Sequence, residues 1–248
     1  MHQALCMAIT GNLLKGKTEM AITLKSTKDA ALDGIKCLVH GPAGAGKTTL
    51  CSTTGEPTII ISAEAGLLSL RGFDIPVIEV KSLDQLYEAY DFVANNPDGQ
   101  AFSWVCLDSI SEIAEVVLNY EKKNAKDPRQ AYGALAEKMT DLIRAFRDLP
   151  GRNVLFLCKQ EKTKDEQTGA MLYGPSMPGN NLKNGLEYFF DEVLALRVEK
   201  DGDGNPTRWL QSARDYNYSA KDRSGSLEMF EQPDISSIAA KIRGAITA

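Results

Sequence analysis

The stretch that most constrains this chain is Gly41-Pro42-Ala43-Gly44-Ala45-Gly46-Lys47-Thr48. An apolar run, Ile35 to Val39, precedes it, and Thr49 and Leu50 follow where the spacing predicts a helix. Glycines let a loop turn several backbone N–H groups inward around an anion. A helix start adds the positive end of a peptide dipole. Strand, glycine-rich loop with Lys-Thr, then helix is the unit that cradles nucleotide phosphates. Gly41, Pro42, Ala43, Gly44, Ala45, Gly46, Lys47, Thr48 and Thr49 are therefore the expected nucleotide-binding residues. Lys47 is expected to reach the β- and γ-phosphates of ATP, and the Thr48 hydroxyl to bind Mg²⁺.

Such a loop belongs in a parallel sheet, and the rest of the chain agrees. Short apolar runs recur at Thr58–Ile61, Val77–Val80, Trp104–Leu107, Val154–Leu157 and Val193–Val198. Amphipathic stretches lie between them: Leu83, Leu86, Tyr87 and Tyr90, then Leu135, Met139, Leu142, Ile143 and Phe146, fall at helical spacing. Continuous apolar strands alternating with helices predict an α/β fold with a mostly parallel sheet covered on both faces. Near the C-terminus the pattern changes. The breaker run Asp201 to Pro206, between Leu194–Glu199 and Arg208–Ser212, predicts an antiparallel hairpin at the sheet edge. Asp234 is placed to cap a last helix carrying Ile235, Ile238, Ile242 and Ile246.

The chain has 248 residues, 43% of them hydrophobic, enough for one core. One domain over residues 20–248 is expected. Met7-Ala8-Ile9-Thr10 recurs as Met20-Ala21-Ile22-Thr23; one reading makes Met20 an alternative start and residues 1–19 a disordered leader, and the bland reading is a chance repeat of four common residues. No run of roughly 18 apolar residues predicts a membrane span, and no secretory signal is read at the start. The five cysteines, Cys6, Cys37, Cys51, Cys106 and Cys158, form no C-x-x-C pair. They read as reduced core residues of a cytoplasmic protein. Two histidines, His2 and His40, make histidine catalysis or a His-rich metal site an unexpected outcome. The net charge of −5 argues against a broad nucleic-acid-coating surface, although not against a narrow basic groove.

Two acids stand where strands end. Asp108 closes Trp104-Val105-Cys106-Leu107 and is expected to hold Mg²⁺ through water; it is also placed to cap the following helix. Ser109 follows it, so the base is not the next residue, as it is in many ring-forming ATPases. Glu64, after Ile59-Ile60-Ile61-Ser62-Ala63, is the expected base that orients or deprotonates water. Its bland alternative is an exposed loop acid; Asp108 or Glu112 would be next in line.

Together these residues resemble the RecA-like ATPases, a fold of P-loop NTPases. The phosphate loop, Ala63-Glu64-Ala65 and Val105-Cys106-Leu107-Asp108-Ser109 stand in that family's order. Val154 to Gln160 resembles the strand ending in the family's switch glutamine, which implies that Gln160 meets the γ-phosphate and signals to a DNA-binding loop. Lys221-Asp222-Arg223 resembles the pair that reaches a neighbouring subunit's ATP, implying a role in trans for Lys221 and Arg223. From Met20 onward the chain looks like compact phage-encoded RecA-like annealing or recombination ATPases, and a phage protein would work in the host cytoplasm.

The resemblance implies ATP hydrolysis with Mg²⁺, single-stranded DNA as partner, self-assembly into a filament or ring, and a single-stranded-DNA-binding protein as a further partner. Two segments are the DNA-binding candidates. The first holds Lys122, Lys123, Lys126 and Arg129. The second, Lys159 to Lys183, reads as a long loop with Lys162, Lys164, Tyr173 and Lys183; its lysines would follow a backbone and Tyr173 would stack a base. The bland reading of both is a solvated charged surface. Competing functions are a helicase or loader motor, a regulatory ATP switch without DNA and, lowest, a small-molecule phosphotransferase.

Overall fold

The computed structural model describes residues 34–247, Ala65 excepted. The expected leader, both copies of the Met-Ala-Ile-Thr repeat, His2 and Cys6 lie outside the described residues. The central element is a ten-stranded sheet. Its strands are β1 (Lys36–Gly41), β2 (Thr58–Ser62), β3 (Val77–Glu79), β4 (Trp104–Asp108), β5 (Asn153–Lys164), β6 (Met171–Ser176), β7 (Glu192–Lys200), β8 (Pro206–Gln211), β9 (Lys221–Asp222) and β10 (Phe230–Glu231). The main path runs β10-β8-β7-β1-β5-β4-β2-β3, with β6 on β5 and β9 on β7. Pairings among β1 to β5 and between β1 and β7 are parallel, whereas β6, β8, β9 and β10 add antiparallel edges. This is the expected α/β architecture, including the hairpin at Asp201 to Pro206.

Every residue of β1, β2 and β4 is buried, because helices cover both faces. Strand alternation divides the apolar side chains between two cores. Leu38, Ile59, Ile61, Val105 and Phe156 face α1 (Leu83–Asn95), α3 (Ile110–Asn124) and α4 (Pro128–Arg147); a short α2 (Pro97–Gln100) follows α1. Val39, Ile60, Cys106, Leu155 and Leu194 face the other way, toward α6 (Ile235–Thr247). A further short helix, α5, spans Asn180–Gly185. Phe156 and Phe190 meet edge-on at 4.8 Å and are fully buried. Burying each such ring stabilises by roughly 1.5–3 kcal/mol. Helix starts are fixed by side-chain caps: Ser82, Ser109, Asp127 and Asp234 accept from backbone N–H groups of the first turns. Cys37, Cys51, Cys106 and Cys158 are free and buried. Among the described residues no helix is long and apolar enough to cross a membrane.

Two elements differ from the sequence expectation. The helix after the phosphate loop is only a 3-10 helix, Thr48–Thr53. Ser52 and Thr53 hydroxyls donate to the carbonyls of Thr49 and Leu50, and such local bonds compete with an α-helical ladder. The stretch from Lys159 to Lys183 is not one long loop. β5 runs on past the core to Lys164, and β6 folds back along it with Gln160 opposite Pro175. A proline is tolerated there because β6 has no main-path neighbour on its outer side.

Candidate nucleotide site

The parallel strands end together at an open cleft of about 730 Å³. It lies where β1 separates β5 from β7, the position at which open α/β sheets take ligands. The phosphate loop forms its floor, and Gly44 and Gly46 have φ of 74° and 102°. Only glycine takes such angles without strain, so those two positions fix the loop's shape. Lys47 Nζ donates to Gly41 O at 2.9 Å and Pro42 O at 3.1 Å, which holds the ammonium over the loop. Burial lowers its pKa, while Glu64 and Asp108 oppose that shift.

The metal-side pair is assembled directly: Thr48 Oγ1 donates to Asp108 Oδ2 at 2.7 Å. The other carboxylate oxygen, Oδ1, is buried and without a partner. Burial raises the Asp108 pKa, with the nearby Glu64 charge adding and the Thr48 bond and Lys47 opposing. A hydroxyl beside a partly unsatisfied carboxylate is a hard oxygen donor set, and it fits a divalent cation carried in with phosphates.

Glu64 is half-buried at the cleft wall, and its Oε1 accepts from Ser109 Oγ at 2.6 Å. Ser62 fixes the local turn by donating to Glu64 O at 2.8 Å. Gln160 and Lys159 enter the cleft from β5, which lies between β1 and β4. Glu112, the alternative base, is held in an ion pair with Lys159.

A model of the family described as an AAA domain matches residues 33–224, most of the chain. The chain belongs to this family. It is a nucleotide-binding P-loop domain of ATPase type. No curated protein matches it. Among solved structures, a KaiC-like protein from the hyperthermophilic archaeon Pyrococcus horikoshii OT3 is similar at 15% identity over 72% of this chain and 79% of that one, with a TM-score of 0.43.

The other expected site residues of this ATPase domain fall elsewhere. Lys221 Nζ donates to Glu187 O at 2.7 Å and Phe190 O at 2.6 Å, so it closes a 3-10 turn of its own chain. Arg223 is exposed and pairs with Asp191 at 3.2 Å. Lys162 lies 5.7 Å from the Tyr173 ring, which is already stacked on Tyr218 at 4.7 Å. Lys183 pairs with Glu161, and Lys164 is exposed at the hairpin end. Lys122 and Lys123 end α3, Lys126 follows in the connection, and Arg129 opens α4. Lys122 lies 5.7 Å over Tyr132, and a Cβ on Gly179 would be 3.4 Å from that ring. The first basic segment therefore meets the end of the second through Tyr132.

Sequence reading missed Arg208. Its Nε donates to Ala45 O at 2.9 Å, which lays the guanidinium along the phosphate loop. No local pattern marks it; the order β1-β7-β8 brings it there. The following helix is capped by Ser109 rather than Asp108, and Ser109 also holds the candidate base.

Proposed function

We propose that this chain is a Mg²⁺-dependent ATPase that binds single-stranded DNA and promotes strand annealing or recombination, with the nucleotide state setting its grip on DNA. Bound Mg²⁺ would be held by Thr48 and Asp108, and would neutralise charge on the β- and γ-phosphate oxygens. The phosphate-loop amides and Lys47 bind and orient the triphosphate. Glu64 takes the proton of the attacking water as the water oxygen bonds to the γ-phosphorus and the bridging bond to ADP breaks. Ser109 keeps the Glu64 carboxylate turned toward the cleft.

One observation carries the DNA reading. A single strand, β5, passes from the cleft at Gln160 directly into a hairpin that carries the exposed Lys162 and Lys164 and the half-buried Tyr173. A rigid strand transmits a displacement at its inner end, and lysines beside an aromatic ring suit a single strand without sequence preference. An ATP switch without nucleic acid is the competing reading, favoured by the net charge of −5 and by Glu112 and Glu161 neutralising Lys159 and Lys183. Titrating fluorescent single-stranded DNA with and without Mg-ATP at two salt concentrations separates the two. Nucleotide-dependent binding that weakens with salt is expected; no binding in either nucleotide state would leave the switch.

A further inference from the structure

A line of polar contacts leaves the nucleotide cleft through the sheet. His40 precedes the phosphate loop on β1 and is fully buried. Its register partner on β5 is Cys158, two residues before Gln160, so His40 and Gln160 share one face of the sheet. His40 Nε2 lies 2.8 Å from Ser219 O. A carbonyl only accepts, so Nε2 carries the proton and Nδ1 is a lone-pair acceptor. Burial lowers the His40 pKa, while the Ser219 carbonyl, Glu187 and the Gln160 side chain oppose that shift. His40 Nδ1 and Gln160 Oε1 are both buried without a partner. Two acceptors cannot satisfy each other. Half a turn of the Gln160 carboxamide exchanges its acceptor for a donor without changing its shape.

At the far end, Ser219 belongs to the wall of a second cavity of about 320 Å³. Ser219 N donates to Tyr173 O at 2.9 Å, and Ser219 Oγ donates to Glu187 Oε1 at 2.5 Å. The stacked Tyr173 and Tyr218 rings, with Arg214 and Tyr216, line the same cavity.

We infer that His40 is a positioning residue of the nucleotide site: it accepts one N–H of the turned Gln160 carboxamide and ties Gln160, through Ser219, to the Tyr173–Tyr218 wall of the second cavity. The inference rests on the reading of Gln160 as the residue that meets the γ-phosphate. One amide N–H on Nδ1 leaves the second for a phosphate oxygen. A change in what that second N–H meets then passes through one imidazole ring to the Ser219 backbone.

Hydrogen exchange of the full chain at the Tyr173 and Ser219 amides, with and without Mg-ATPγS, tests it. In the wild type, nucleotide is expected to slow exchange at both amides by at least about threefold. His40→Phe keeps a ring of similar size without polar atoms. It is expected to bind Mg-ATPγS yet lose the response, and His40→Asn, with one donor and one acceptor, is expected to regain part of it. If His40→Phe does not fold, His40→Leu is read in its place. A full response in the apolar variant, or none in the wild type, overturns the inference. Gln160→Ala separates the two failures. Unchanged turnover and response there remove the underlying reading. Loss of response in Gln160→Ala beside a normal His40→Phe leaves that reading and overturns only the role of His40.

Discussion

Ser109 Oγ donates a 2.6 Å hydrogen bond to Glu64 Oε1, joining the residue after the metal-side acid to the candidate base in the loop after β2. The same Ser109 oxygen accepts from Glu112 N at 3.4 Å at the start of α3. One hydroxyl therefore sets both the helix that follows Asp108 and the carboxylate across the cleft.

If Glu64 takes the proton from water, Glu64→Gln still binds Mg-ATP but turns it over at least ~100-fold more slowly. Ser109→Ala leaves the carboxylate in place but untethered. One neutral-to-charged hydrogen bond is worth roughly 1.5–3 kcal/mol, so a loss of about tenfold or more in kcat with little change in KM is expected. Steady-state phosphate release checks both, and a full-rate Glu64→Gln chain would move the base elsewhere.

Asp108 is 2% exposed, with one carboxylate oxygen unpartnered. Burial lifts its folded pKa above its unfolded one. A lifted carboxyl pKa means that folding favours the proton, so the ionised group costs stability as pH rises through and above the unfolded value. At neutral pH Asp108→Asn keeps an acceptor for Thr48 without the buried charge. The nucleotide-free variant is expected to melt higher than wild type and to lose the extra stabilisation that Mg²⁺ adds to ATP. Thermal melts with ATP, with and without Mg²⁺, check this; a lower melting point together with a retained Mg²⁺ increment would contradict it.

The phosphate loop, Asp108 and the central strands were legible because each depends on local chemistry. Glycines at Gly44 and Gly46 are required by φ, and the β1, β2 and β4 runs are apolar because both their faces are covered. The outer half of β5 was not legible. Glu161 to Lys164 and the β6 partner lie outside the core, so burial imposes no period, and Gly174-Pro175 reads as a turn. Arg208 was invisible for a different reason: only the sheet order sets an arginine of β8 against Ala45. Nothing in the sequence marks the carbonyls of Glu187 and Phe190 that Lys221 meets.

Glu192 is buried where β7 meets Asp222 of β9. Burial first, then Asp222 and Asp191, pushes its pKa up to about 8. Asp222 accepts from Ser224 Oγ, Gly225 N and Leu227 N, bonds that favour its charge and leave the proton on Glu192. The unfolded chain loses that proton near pH ~4.3, so between there and the folded value stability falls as pH rises. Glu192→Gln lacks this loss. Its melting temperature is expected to gain on wild type steadily from about pH 5 to about pH 8 and then to run parallel. Parallel melting curves over the whole range would mean that Glu192 is ionised in the folded chain.

Lys221 and Arg223 stand two residues apart, but their surroundings divide their roles. Lys221 is part-buried and donates to two backbone carbonyls of its own chain. Its removal leaves those carbonyls short of a donor, so Lys221→Ala is expected to cost roughly 1.5–3 kcal/mol of stability. Arg223 is 56% exposed in its pair with Asp191, and an exposed pair of this kind holds weakly. Its guanidinium is free to swing to an anion on a second copy of the chain. Arg223→Ala is therefore expected to melt like wild type and yet lose turnover, if a neighbour's γ-phosphate is its target. Mixing gives the decisive measurement. Arg223→Ala supplies an intact phosphate loop, Lys47→Ala supplies an intact Arg223, and each alone is nearly inactive. Where the two co-assemble, shared interfaces combine one good loop with one good arginine, and part of the activity returns. Co-assembly without recovery at any mixing ratio would confine Arg223 to its own subunit, and a fully active Arg223→Ala chain would remove it from the reaction.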